Sequence, residues 1–275
     1  MTSALILRSV ADGVITLTLN RPEKLNVLNW EMIDELLAGV AAGESDPSVS
    51  AIVIRGAGRS FCAGFDIAGV VASDPSAQAN SPHDDTFGMQ RAAQKWRRLW
   101  ESRKPVIAAV QGHCLGSAVE IVLHADLVIA ADDASFGYPP VRGSGLPDTQ
   151  MFIYRIGDLW TKRMLMTGDS IDAATAERIG LILKAVPRAR LDEEVMALAR
   201  AVRQVPIPLL EAGKRVVNQA IELMGYTPLQ RHNWNEAAMA RATPELAEFS
   251  RIAREQGFKA AMAWRDGKTG GARSP

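Results

Sequence analysis

Cysteine is scarce: the 275 residues hold only Cys62 and Cys114. Two thiols cannot build a disulfide framework or a four-cysteine metal site, so a reducing, cytoplasmic setting is expected. Net charge is missing too, since 31 Lys and Arg balance 31 Asp and Glu. Nothing global therefore argues for nucleic acid or an anionic membrane as partner, although the local cluster KWRRLW at residues 95–100 can attract a phosphate. No apolar run reaches membrane-spanning length, and the opening MTSALILRSVADG lacks the basic stretch and long apolar core of a signal peptide. His83 and His124 have no ligand spacing with cysteines or acids, so no metal site is expected. Internal repeats and low-complexity tracts are absent as well.

What the chain does have is 47% hydrophobic and 23% charged residues, the balance of an ordinary globular protein. The length suits one α/β domain with an appendage. Residues 5–22 read as a β-hairpin about Asp12-Gly13, with Pro22 ending the second strand. Asn29 caps a helix over 30–44, and 51–56 (AIVIRG) is a buried strand. The order then repeats: helix 86–102, strand 105–112, a helix from about Leu115 to His124, strand 126–131. Alternation of this kind predicts an α/β fold with crossover connections. Residues 70–85, rich in Ser, Pro and Asp, read as a surface loop. Later segments (161–182, 190–204, 208–223 and 244–267) are helical, with a possible strand at 181–186. The division expected is a core over 1–204, a helical region over 205–267 and a disordered tail over 268–275.

Two segments share one logic. Residues 53–66 (VIRGAGRSFCAGFD) and 107–120 (IAAVQGHCLGSAVE) each read as an apolar strand running through a turn of small residues into a helix. Such turns present backbone N–H groups, and a helix start adds unpaired donors. Side by side, two of them can hold a developing negative oxygen. Taken singly, each is also explained by glycine and alanine permitting close packing.

In order and spacing, NRPEKLNVLN (20–29), FCAGFDI (61–67), the whole of 105–137 and QGFKAAMAWRDG (256–267) resemble the crotonase, or enoyl-CoA hydratase/isomerase, superfamily over nearly the full chain. The resemblance implies a crotonase (ClpP-like) α/β fold of repeated ββα units with a helical C-terminal trimerisation region. It implies an acyl-CoA substrate, no separate cofactor, and a thioester enolate held by the backbone N–H groups of Phe65 and Ser117. Glu120, one helical turn after Ser117, matches the first catalytic glutamate; the plain alternative is an acid favoured at a helix N-terminus. Coenzyme A would lie along Glu23, Lys24 and Leu25 and the backbone of Ala63, Gly64, Asp66 and Ile67. Gly116, His113, Pro139, Pro140 and Arg142 would shape the acyl site, and Asp66 reads as structural. Lys259, Arg265 and Lys268 of a neighbouring subunit would meet the CoA phosphates in a homotrimer or a dimer of trimers.

The chain also departs from that pattern. Hydratases keep a second glutamate in FGxPE, and here FGYPP places Pro140 there. Proline moves no proton, so ordinary hydration is expected to be slow unless another group substitutes. Asp148 is the candidate, in the position where dienoyl-CoA isomerases and naphthoyl-CoA synthases carry an acid. It reads equally as the N-cap of a helix starting near Thr149. Arg142 would lower its pKa or recognise a carboxylate-bearing substrate. Two other readings stand beside the hydratase/isomerase one: an acyl-CoA or β-diketone hydrolase on the same fold, and a non-catalytic acyl-CoA-binding paralogue.

Overall fold

Asp12 and Gly13 turn the chain with φ of +51° and +73°, the left-handed pair that a two-residue hairpin needs. They join β1 (Ile6–Ala11) to the antiparallel β2 (Val14–Leu19). The computed structural model describes residues 4–66, 81–143 and 145–268, without the side chains at 258, 266 and 268. From β2 the sheet continues in parallel through β3 (Ala51–Gly56), β4 (Val106–Val110), β6 (Leu127–Ala131) and β9 (Lys184–Val186). A second sheet of three short strands, β5 (His113–Leu115), β7 (Ser135–Gly137) and β8 (Ser170–Asp172), stands apart in the order β5-β7-β8. No reading of the sequence anticipated it, because three residues show no alternation.

Period-two alternation sorts the main sheet into two faces. Ile52, Ile54, Ala108 and Val110 join the large core. Ala51, Val53, Ile107 and Ala109 face the other way, beneath Leu191, Val195 and Ala199 of α6 (Leu191–Arg203). Each large aliphatic side chain buried there contributes roughly 1.5–3 kcal/mol.

The crossover helices are α1 (Trp30–Ser45), α2 (Pro82–Trp100) and α3 (Ser117–His124). Asn29 caps α1 by accepting the Met32 N–H at 2.9 Å, as expected. α2 begins earlier than its periodicity suggested. Ser81 accepts the Asp84 N–H and Pro82 opens the first turn, so residues 82–85 of the expected loop are helical. Residues 67–80, which take in Ile67 and the rest of that loop, lie outside the described residues.

After β7 the chain forms α4 (Phe152–Thr167, interrupted at Gly157) and α5 (Ala173–Arg178), with β8 between them. Beyond α6 come α7 (Ile207–Leu223) and α8 (Tyr226–Arg241), the second of which sequence reasoning passed over. The single helix expected over 244–267 is two, α9 (Pro244–Gln256) and α10 (Phe258–Lys268), because Gly257 turns the chain at φ +89°. Phe249, Ile252 and Ala261 give this hairpin a small core of its own.

Candidate active site

The two segments meet at their turns. Cys62 donates its N–H to His113 O at 2.9 Å and its carbonyl accepts Leu115 N–H at 3.1 Å. Glycine is required at both turns. Gly64 has φ +109°, and a Cβ there would lie 3.0 Å from Leu115 O; Gly116 has φ +56°, and a Cβ there would lie 3.3 Å from Pro140 Cγ and 3.7 Å from Gly64 Cα. The turns thus stand too close for a side chain on either, with Pro140 next to the second. Among the described residues, neither the Phe65 N–H nor the Ser117 N–H donates a hydrogen bond.

Asn26, which sequence reasoning named only within a motif, holds the first turn in place. It is fully buried, and its amide donates to the carbonyls of Ala57, Ser60 and Phe61 while its oxygen accepts the Arg21 N–H. Leu25 O accepts the Ala63 N–H at 3.0 Å, which ties the expected CoA segment to the turn; Glu23 and Lys24 beside it are exposed. Asp66 pairs with Arg21 at 3.0 Å and donates its N–H to Leu28 O.

A cavity of about 500 Å³ opens at these turns. Ala63, Gly64, Phe65, Gly116 and Ser117 line one part, and Tyr138, Pro139, Pro140, Leu146, Asp148 and Arg241 another. Phe249, Met262 and Arg265 from α9 and α10 of the same chain complete it.

Asp148 is on this wall, and it is not a helix cap. α4 starts at Phe152, because Thr149 and Gln150 are held by long-range partners instead. Trp96 Nε1–H of α2 donates to Asp148 Oδ2 at 3.0 Å, and Trp234 Nε1–H of α8 donates to Asp148 O at 3.0 Å. Asn233 adds a bond to Pro147 O at 2.9 Å. Burial pushes the Asp148 carboxyl upward, against the Trp96 hydrogen bond and the Arg241 charge.

Glu120 sits directly behind. Its side chain has no exposed surface and is not among the cavity-lining residues. Thr149 donates its N–H to Oε1 at 3.1 Å and its hydroxyl to Oε2 at 2.6 Å, so the residue next to Asp148 is the one that binds Glu120. Burial, then the negative charge of Asp148, pushes the Glu120 carboxyl up to about 8. One turn on, the buried His124 Nδ1 meets Glu120 O at 2.8 Å and its Nε2 meets the Tyr226 hydroxyl at 3.1 Å. A carbonyl can only accept, so Nδ1 carries the proton and the tyrosine donates to Nε2. Burial lowers the histidine to about 3, which keeps it neutral.

Several expectations need correction. Arg142 is exposed, bonded to Thr167 O and Asp169, and does not line the cavity; the cation beside Asp148 is Arg241. His113 is exposed and also absent from the lining, whereas Cys114 goes into the core and Leu115 into the cavity wall. Arg265 lines the cavity of its own chain, where a neighbour's was expected. Lys259 is exposed on α10, and the Lys268 side chain lies outside the described residues. Among the described residues no cluster of His, Cys, Asp or Glu could hold a metal ion, and no helix is long and apolar enough to cross a membrane.

This sheet pattern, with two glycine turns meeting at a cavity, defines a protein of the crotonase fold. The family model for enoyl-CoA hydratase/isomerase matches residues 9–251. A probable enoyl-CoA hydratase of Mycobacterium tuberculosis is 35% identical over 221 residues, covering 79% of this chain and 82% of that one. The 2,3-dehydroadipyl-CoA hydratase of Escherichia coli is 32% identical over 251 residues, covering 85% and 94%. Among solved structures, an enoyl-CoA hydratase/isomerase from Xanthobacter autotrophicus Py2 superimposes with a TM-score of 0.88 at 31% identity, over 97% of this chain and 99% of that one. The chain belongs to the enoyl-CoA hydratase/isomerase family.

Proposed function

We propose that this protein is an acyl-CoA enzyme that stabilises a thioester enolate and moves a proton at the acyl chain. The thioester oxygen is held by the Phe65 and Ser117 N–H groups, and Asp148 is the acid that meets the substrate. One observation carries this reading: two N–H groups with no hydrogen bond among the described residues and a carboxyl with raised affinity for its proton line the same cavity. Glu120 completes a two-acid arrangement from behind, holding Thr149 and therefore Asp148. With Pro140 where a second glutamate would activate water, a shift of the double bond is favoured over hydration. Arg265, in the cavity lining, supports a role toward the CoA phosphates within one chain.

Incubation with a panel of enoyl-CoA esters in deuterated water, read by mass spectrometry, separates deuterium exchange from water addition and from thioester or carbon–carbon cleavage. Asp148→Asn is expected to lower turnover by roughly 100-fold or more with KM little changed, as for loss of a general acid or base. Glu120→Gln is expected to cost less. A greater loss for Glu120→Gln would assign the proton transfer to Glu120.

A further inference from the structure

The loop that carries Asp148 is fixed on three sides without use of its carboxyl. Trp234 Nε1–H donates to Asp148 O at 3.0 Å, Asn233 bonds Pro147 O at 2.9 Å, and Thr149 is held by Glu120. Those bonds leave the Asp148 side chain free to rotate. One further bond stops it: Trp96 Nε1–H donates to Oδ2 at 3.0 Å. The indole is itself held still, since Trp96 is 2% exposed on α2 and packs in the large core. Oδ1 accepts no hydrogen bond among the described residues, and Asp148 is only half-buried on the cavity wall.

The two carboxyl oxygens are therefore unequal, and the chemistry of indole makes the difference count. An indole nitrogen donates and never accepts. Oδ2 has to keep a lone pair for the Trp96 N–H, so a protonated Asp148 carries its proton on Oδ1. Asp148 is also the only carboxyl among the described residues that line the cavity. The group that takes a proton from the acyl chain is then the group that gives it back, and it does both through one oxygen.

We propose that Trp96 is a positioning residue: its indole holds Oδ2 of Asp148 and so presents Oδ1 to the substrate as the oxygen that carries the proton in transit. This rests on the acyl-CoA reading above and deepens it. In the step it serves, a C–H bond of the acyl chain breaks toward Oδ1. Its electron pair passes to the thioester oxygen between the Phe65 and Ser117 N–H groups, and returns to carbon as Oδ1 gives up the same proton. The bond from Trp96 also favours the carboxylate, against the burial that favours the acid. The other groups facing Asp148 are Glu120 on α3, Asp85 on α2, Arg241 on α8 and the Tyr138 hydroxyl. All of them remain when Trp96 is replaced.

Two measurements on the full-length protein test this, the first without substrate. With fluorotryptophan at the six tryptophans, the fluorine NMR signal lost in Trp96→Phe belongs to Trp96. It is expected to move with pH in the parent protein and to stay flat in Asp148→Asn. A signal that titrates equally in both proteins, or in neither, overturns the proposal. The second measurement follows deuterium uptake and double-bond shift in 2-hexenoyl-CoA and 3-hexenoyl-CoA across pH. Trp96→Phe keeps an aromatic ring and loses the donor. It is expected to lower kcat about tenfold or more with KM little changed, and to move the low-pH limb of kcat/KM upward by about one pH unit. Trp234→Phe loosens the same loop through its backbone, so it should lower kcat while leaving that limb in place. Equal losses in the two variants, with the limb unmoved in both, would make Trp96 a packing residue only and sink the idea. Full turnover in Asp148→Asn would remove the catalytic reading of Asp148, and this inference with it, even where the fluorine titration holds. A parent protein that processes neither ester would remove the acyl-CoA reading itself.

Discussion

Glu120 shows how one buried carboxyl ties stability to pH. Its folded pKa is pushed up to about 8 from the 4.5 of an ordinary glutamate, first by burial and then by Asp148. An acid that holds its proton more tightly when folded adds stability that is full below its unfolded pKa and is lost as pH rises through the folded one. Glu120→Gln retains groups able to bond Thr149 and removes the titration. The melting temperature of the variant relative to the parent is therefore expected to rise between about pH 5 and about pH 8, by on the order of 3 °C for each kcal/mol relieved. Asp148 is present in both proteins but interacts with Glu120, so the difference reports the pair rather than either acid alone. Melting curves separated by the same interval at every pH would show that Glu120 ionises as it does in water. At this scale the sequence was half legible. It offered both acids as candidates, but which one faces the cavity depends on Trp96, Thr149 and Trp234, none of which stands in a recognisable motif.

At the scale of elements, the candidate site is two glycine turns pressed together, and each tolerates only what its backbone allows. Gly116 lies at φ +56° with Pro140 Cγ 3.3 Å from where a Cβ would stand. Gly116→Ala is expected to cost about 1–3 kcal/mol in stability, through strain at a left-handed position and crowding of Pro140. Turnover should fall as well, since the Ser117 N–H is displaced with the turn. Gly213, in the exposed middle of α7 with no atom within 4 Å of a Cβ, is the contrasting case. There alanine is expected to stabilise by roughly 0.5–1 kcal/mol, the helix-propensity difference. Chemical denaturation of the two variants checks both signs. The hairpin, the Asn29 cap and the β3 and β4 strands were legible because their signals are local. Helix α8 was not: its apolar and polar residues alternate without a clean stripe, since Gln230, Asn233 and Trp234 turn inward to hold the loop before α4.

The whole molecule leaves an apolar surface uncovered on α7. Leu209, Val216, Val217 and Leu223 are each more than half exposed, and Met224 follows them. Contiguous exposed aliphatic side chains of this size mark contact surfaces. Self-association as a trimer or a dimer of trimers is the proposal they support. Sedimentation equilibrium is expected to give three or six times the chain mass of 29.7 kDa. A Val217→Glu/Leu223→Glu double variant should shift it toward the monomer, and a monomeric parent protein would rule the assembly out. Phe249, Met262 and Arg265 of the α9–α10 hairpin line the cavity of their own chain.

By itself the sequence determined the α/β order, the hairpin and the two glycine turns. These are properties of short stretches: turn glycines, capping side chains and two-residue alternation act within a few bonds of where they are written. Only the tertiary structure decided that Asp148 faces the cavity while Glu120 lies behind it. It also decided that Arg241, paired with a residue 156 positions away, stands where Arg142 was expected. The reason is physical. Accessibility, burial and charge pairing are set by which distant elements pack together, and α2 and α8, which supply Trp96, Asp85, Trp234 and Arg241, meet only in the folded chain.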